Sequence, residues 1–249
     1  MHSSESGRVR AIILTTQRTG STFLVGCLRS HPEIECAGEI LNGQPDDPRP
    51  AYRGPFRQAV KAMRILHTGA WRAGHYMDAY FRRGAARVRC FKAMYNQLAR
   101  PFATRYLSEN RDIRIIHLRR HNLLKVHVST LLMDKRKELQ ATAATETVWI
   151  TVDPDKAIER MRKARARYES FDRIFEHHPR LQIAYESLID GQGLQEDTQR
   201  RICDFLGVGQ FEMQSPLVKL NPEALRDMVT NYDELSATLS RTEFAGMLE

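Results

Sequence analysis

Arg18, Gly20, Ser21 and Thr22 bring together, within one short stretch, groups suited to holding an anion. Arg18 supplies a fixed positive charge, Ser21 and Thr22 supply hydroxyls, and Gly20 permits φ > 0 and a close backbone approach to a ligand. If a helix opens there, its free N–H groups add to the attraction. The same residues also allow a plainer arrangement, in which Thr19 or Ser21 caps an ordinary helix and Arg18 faces water. Three more groups could do chemistry: Glu39, in a Gly-Glu step; the Arg119-Arg120 pair, nine or ten residues before Ser129; and Lys92.

The elements that must position these groups are legible from pattern. Residues 11–14 form a short β-branched-rich apolar run suited to a parallel strand covered on both faces. Residues 21–30 carry Phe23, Leu24, Cys27 and Leu28 as one helical stripe, stopped by His31-Pro32. A short extended piece, 34–37, leads to Gly38-Glu39, and 41–54 is rich in proline and glycine and reads as a surface loop. Residues 55–84 suggest two helices. Further strands are expected at 87–92, 113–118 and 181–185, with helices between them.

Asp153-Pro154 marks the start of a long helix. Its residues Ile158, Met161, Ala164, Tyr168, Phe171 and Phe175 recur at helical spacing, which sends Arg160, Arg162, Lys163, Arg165 and Arg167 to a solvated face. Residues 194–205 are amphipathic up to Gly207, and Asn221-Pro222 opens a last helical region. Four strands alternating with helices imply an α/β, P-loop-type three-layer fold, with a central parallel sheet and helices on both faces. Ligands of such sheets bind beyond the carboxyl ends of the strands, where Arg18, Arg119 and Arg120 fall. One domain over residues 9–249 is expected, behind a flexible N-terminus of residues 1–8.

The balance of 38 Lys and Arg against 30 Asp and Glu, a net charge of +8, favours an anionic partner. No run approaches the ~18 apolar residues of a membrane span, and residues 1–7 are too polar for a signal peptide, so a cytoplasmic protein is expected. Cys27, Cys36, Cys90 and Cys203 lack metal-ligand spacing and read as reduced, buried thiols.

A magnesium-dependent ATP- or GTP-binding P-loop would need GxxxxGK[ST]. Here Thr15 stands where its first glycine would, Ser21 stands where its lysine would, and the strand ends lack a clear acidic magnesium ligand. A nucleic-acid-binding module is opposed by the absence of a recognition motif and by the amphipathic placement of the arginine run.

The stretch Gln17-Arg18-Thr19-Gly20-Ser21-Thr22-Phe23-Leu24 resembles the 5′-phosphosulfate loop of sulfotransferases that use 3′-phosphoadenosine 5′-phosphosulfate (PAPS). Ile116-His117-Leu118-Arg119-Arg120, continuing through Asn122 to Ser129, resembles their 3′-phosphate signature. Residues 30–42, with Ala37-Gly38-Glu39, are similar to bacterial carbohydrate sulfotransferases of the nodulation-factor and trehalose type. Tyr185-Glu186-Ser187-Leu188, residues 202–207, Lys219-Leu220-Asn221-Pro222 and residues 231–235 add to the likeness.

The resemblance implies a sulfotransferase that moves a sulfuryl group from PAPS to a carbohydrate or glycolipid hydroxyl without a metal, releasing adenosine 3′,5′-bisphosphate. It implies Arg18, Thr19, Gly20, Ser21 and Thr22 at the 5′ end, with Arg18 also catalytic. At the 3′ end it implies Ser129 with Arg120 or Arg119, Arg120 being favoured because Asn122 follows at the family spacing, and Lys219 as added charge. Glu39, on the residues alone a loop carboxylate, becomes the implied general base. A homodimer is compatible with the likeness, and a protein tyrosine or small phenol is the alternative acceptor. Lys92 either lines the site or sits on the surface; His75, His117 and His127 read as structural; Trp149 either stacks on a sugar or fills the core.

Overall fold

The central sheet has five parallel strands: β1 (Val9–Thr15), β2 (Ile34–Ala37), β3 (Val88–Met94), β4 (Arg114–Arg119) and β5 (Arg180–Ala184). Their order across the sheet is β2-β3-β1-β4-β5. In register, Ala11 faces Cys90, Cys36 faces Cys90 from the other side, and His117 pairs with both Leu14 and Gln182. The computed structural model describes residues 7–42, 70–99, 101–140, 148–190, 193–216 and 224–248. These gather into two units, Met1–Arg119 with Phe175–Val218, and Arg120–Ile174 with Lys219–Glu249.

The first unit holds the sheet. One face packs on α1 (Ser21–Ser30) and α7 (Glu196–Leu206), through Leu24, Cys27 and Leu28 and through Ile202, Cys203 and Leu206. The inward strand residues there are Ala11, Ile13, Val88, Cys90, Ile116, Leu118 and Ile183. The opposite face is covered by α2 (Ala70–Arg82), whose Tyr80 and Phe81 rings lie 5.6 and 5.5 Å from Phe91 of β3. Strands buried on both faces explain their continuous apolar runs. A short segment, α3 (Tyr95–Leu98), follows β3 directly and leads to α4 (Pro101–Glu109).

Two strand features extend the sequence reading. Residues 34–37, expected only as an extended piece, form the edge strand β2, so the sheet has five strands rather than four. Ile189–Asp190 (β6) and Gly193–Leu194 (β7) make a small antiparallel pair too short to leave a periodic signal. Helix α7 ends on Gly207 at φ 70°, the left-handed conformation that suits glycine.

The second unit contains α5 (Leu123–Gln140), α6 (Pro154–Ile174) and α8 (Tyr232–Leu239). Asn122 caps α5: its side-chain oxygen accepts from the Lys125 amide at 2.9 Å, while its Nδ2 donates to the Met247 carbonyl at 3.0 Å. Helix α6 starts at Pro154 as expected, with Asp153 accepting from the Lys156 amide at 3.1 Å. Its buried stripe is Ala157, Ile158, Met161, Tyr168 and Phe171. Of the expected basic face, Arg162 pairs with Glu243 at 2.8 Å and Arg165 covers the Phe244 ring at 4.6 Å. The readings of residues 43–69, of Lys219 and of the helix start at Asn221-Pro222 fall outside the described residues.

Candidate active site

Strand β1 delivers the chain to the candidate anion loop, and buried threonines hold the loop closed. Thr15 and Thr19 are both fully buried, with their hydroxyls 2.6 Å apart. Thr15 Oγ1 lies 2.9 Å from the Leu118 carbonyl of β4 and Thr19 Oγ1 lies 2.9 Å from the Thr16 carbonyl, so one hydroxyl donates to the other and the second donates to its carbonyl. The Thr19 hydroxyl is therefore committed to the loop itself, and what Thr19 can offer an anion is its backbone.

Two left-handed residues shape the turn. Arg18 has φ 62° and is the single non-glycine residue with positive φ among those described. Such a conformation costs a side-chain-bearing residue about 1–2 kcal/mol. Gly20 follows at φ 75° and is the N-cap of α1, where no side chain caps the helix. The plainer reading, a helix capped by Thr19 or Ser21, is thereby replaced by a glycine cap, and the first turn of α1 contains no acidic residue. Amides at a helix N-terminus that lack a side-chain cap are suited to an anion.

Gly20 is also sterically required. A Cβ built there would lie 2.8 Å from the Tyr185 ring and 3.2 Å from Leu188. Tyr185 stands just past the carboxyl end of β5, so the Tyr-Glu-Ser-Leu stretch has a physical role as the floor beneath the loop. Ser21 is buried and Thr22 is exposed at the head of α1.

Glu39 sits in the same unit and is held from two directions. The β2–β3 ladder continues by one bond, from the Lys92 amide to the Gly38 carbonyl at 3.1 Å, which fixes the backbone just before Glu39. Its Oε1 then lies 2.9 Å from Lys92 Nζ, and its Oε2 accepts from Gln97 Nε2 at 2.8 Å. The Lys92 side chain is only 8% exposed, so it is not a surface lysine; its charge is matched by Glu39 as a buried charge requires. Lys92 Nζ is also 3.4 Å from Thr22 Oγ1, at the start of α1. A positive charge thus stands between the anion loop and the carboxylate.

Gln97 was not visible as a site residue from sequence. Its Oε1 accepts from the Met94 amide at 3.1 Å, which fixes the amide orientation and aims its NH₂ at Glu39. The one available hint was a glutamine three residues into a helix start, a capping position. Nothing in the sequence tied it to Glu39, 58 residues earlier.

His117 is fully buried and bonded at one ring nitrogen to the Tyr95 hydroxyl. At the other, Nδ1, it accepts from Arg119 Nη2 at 2.9 Å. This supports the structural reading of that histidine and shows Arg119 turned back toward its own strand. Arg120 and Ser129 belong to the second unit. The Tyr168 hydroxyl of α6 lies 3.4 Å from both the amide and the carbonyl of Arg120, and Ser129 is buried on α5. His127, also on α5, has its pKa pushed below the usual imidazole range, first by burial and then by Arg160.

Among the described residues no group of three or more His, Cys, Asp or Glu is arranged to hold a metal ion, and no helix is long and apolar enough to cross a membrane. Trp149 is 45% exposed, so it does not fill the core.

Comparison with known proteins bears on the fold and the family. No curated protein matches the chain. Among solved structures, a sulfotransferase from Alicyclobacillus acidocaldarius superposes with a TM-score of 0.50 at 16% identity, over 97% of this chain and 96% of that one. The sulfotransferase domain of the Synechococcus PCC 7002 olefin synthase gives 0.42 at 19% identity, over 84% of this chain and 76% of that one. The first shares the fold. The model of the sulfotransferase family matches residues 11–212, from β1 past α7, and the chain accordingly belongs to the sulfotransferase family.

Proposed function

We propose that the protein transfers a sulfuryl group from PAPS to a hydroxyl of a carbohydrate or glycolipid acceptor, with Glu39 as general base. The observation that carries this reading is the placement of Glu39 and Thr22 on either side of one buried ammonium, Lys92, at 2.9 and 3.4 Å. An anion loop and a carboxylate joined through a cation suit a reaction in which one end of the site holds a leaving anion and the other takes a proton.

Each residue has a part. Arg18, the backbone of Thr19 and Gly20, and Ser21 and Thr22 hold the 5′-phosphosulfate end, where negative charge builds on the leaving oxygen. Glu39 accepts the acceptor hydroxyl's proton; Lys92 and Gln97 occupy one lone pair on each of its oxygens and leave others to face substrate. Lys92 is also available to the transferred group. Arg120 and Ser129 hold the 3′-phosphate, with Lys219 as added charge; Arg119, committed to His117, serves the strand end. PAPS, when bound, supplies the sulfuryl group, and this reading assigns no step to a metal. Residues 9–249 act as one sulfotransferase-like domain behind a short N-terminal segment.

Arg120→Ala is expected to weaken adenosine 3′,5′-bisphosphate binding by at least about tenfold while leaving adenosine 5′-phosphate binding nearly unchanged, because a charge-assisted bond to the 3′-phosphate is worth ~1.5–3 kcal/mol. Equal losses for both nucleotides, or none, would reject the 3′ role. A panel of sugars, glycolipids, tyrosine peptides and phenols incubated with labelled PAPS assigns the acceptor; transfer to phenols or peptides alone would reject the carbohydrate reading.

A further inference from the structure

Trp149 presents a large ring, 45% exposed, on a frame that cannot easily fold it away. The next residue, Ile150, forms a parallel bridge with Val229, made by Ile150 N–H to the Met228 carbonyl and Thr230 N–H to the Ile150 carbonyl, each at 2.9 Å. Asn231 clamps the following turn, accepting from the Val152 amide at 2.9 Å and donating to its carbonyl at 2.8 Å. Thr151 and Thr230 join their hydroxyls at 2.9 Å. The indole is therefore an exposed plate on a stiff support.

Beside it runs a groove of about 400 Å³, lined by Trp149, Arg226, Val229, Thr230 and residues 231–234. That volume lies in the range of small-molecule sites. Its aromatic partner, Tyr232, is already used: Arg226 stands over its ring at 4.8 Å, and its hydroxyl donates to the Leu248 carbonyl at 3.0 Å. Among the described residues, Trp149 is thus the ring of the groove left to receive a ligand face.

The same groove carries groups that hydrogen-bond in both directions. Arg226 donates and Asp233 accepts; they pair at 3.2 Å yet stay 70% and 88% exposed, so both keep capacity for a ligand. Glu234 adds a further acceptor. One arginine against two carboxylates leaves this lining with a formal charge of −1, in a chain whose overall charge is +8. The lining therefore offers a nucleotide, nucleic acid or heavily sulfated chain no net positive charge. What matches an apolar plate flanked by donors and acceptors, without net positive charge, is a molecule with one C–H face and a rim of hydroxyls.

We propose that the Trp149 groove is a binding site for an uncharged sugar chain, with a pyranose ring stacked on the indole and its hydroxyls bonded by Arg226, Asp233 and Glu234. As a holder of the acceptor it rests on the sulfotransferase reading above; as a sugar site it does not.

The test uses the full chain. Uncharged hexasaccharides, namely β-1,4-linked glucose, β-1,4-linked N-acetylglucosamine and α-1,4-linked glucose, are titrated by calorimetry and by tryptophan fluorescence in a Trp71→Phe background. Dextran sulfate and a mixed-sequence peptide serve as the rival probes. The proposal expects saturable binding of at least one sugar with a blue-shifted emission. Trp149→Ala should weaken that binding by about tenfold or more, and Trp149→Phe by no more than about threefold. Adenosine 3′,5′-bisphosphate affinity should be unchanged in both variants. The proposal is overturned if no sugar binds by either method, if Trp149→Ala binds sugar as the parent does, or if only the peptide or dextran sulfate shifts the emission. Should the parent bind sugar but not adenosine 3′,5′-bisphosphate, the sulfotransferase reading fails and the sugar site stands.

Discussion

Glu39→Gln is expected to lower kcat by roughly 10²–10⁴ and to leave adenosine 3′,5′-bisphosphate affinity within about threefold of the parent. The substitution keeps the size of the side chain and one oxygen for Lys92 or Gln97, but removes the capacity to take a proton. It also leaves the largely buried Lys92 without its counter-charge, and breaking one partner of a buried pair costs up to ~3–5 kcal/mol. A fall in melting temperature is therefore part of the expected result, and retained nucleotide binding shows that the variant remains folded. Gln97→Leu separates the two effects: it deletes the 2.8 Å contact to Oε2 without removing the carboxylate, and should cost far less in kcat. Near-normal turnover in Glu39→Gln would dismiss this glutamate as the base.

The second large effect concerns Arg18, whose side chain and backbone make opposite contributions. In the proposed function its guanidinium is the fixed charge at the 5′ end, and removing one such group from a site of developing charge typically lowers kcat by roughly 10²–10³. Its backbone is held at φ 62°, which disfavours any side chain. Arg18→Gly should therefore lose activity by that factor while stability changes by less than about 1 kcal/mol, because relief of the left-handed strain offsets the added entropy of the unfolded chain. Rate assays with thermal melts on the same preparation check both halves. A variant that unfolds would mean that Arg18 acts through structure rather than charge.

Much of the frame is legible in the sequence because it depends on local pattern. The apolar run at Ala11–Leu14, the stripe of α1 and the Asp153-Pro154 start of α6 are each set by burial or capping within a few residues, and the structure has them where the pattern puts them. The edge strand β2 was less clear: its four residues are too few for a period, and Glu35 looks out of place in a sheet until Arg89, its neighbour in register, is seen at 2.9 Å. The site divides in the same way. Arg18 to Thr22 form one contiguous stretch and announce an anion loop by their types alone. The environment of Glu39 comes instead from pairings across the sheet, with Lys92 brought beside it by the β2–β3 ladder and Gln97 by the helix start after β3. Neither partnership leaves a spacing that sequence can show.

Residues with two readings in the sequence differ in burial or in partners. Lys92 could have faced water, and its side chain is 8% exposed with a carboxylate partner; Trp149 could have filled the core, and it is 45% exposed beside a groove. Arg119 and Arg120 are alike in sequence but differ in surroundings, since Arg119 is bonded to His117 and Arg120 begins the second unit against Tyr168.

If the proposed function holds, the loop after β1 belongs to a 3′-phosphorylated sulfuryl donor rather than to a nucleoside triphosphate. Isothermal calorimetry of adenosine 3′,5′-bisphosphate in the presence of a chelator, set against ATP with magnesium, separates the two. Tight, metal-independent binding of the bisphosphate and at least tenfold weaker binding of ATP are expected. Tighter binding of ATP, or a requirement for magnesium, would overturn the sulfuryl-donor assignment.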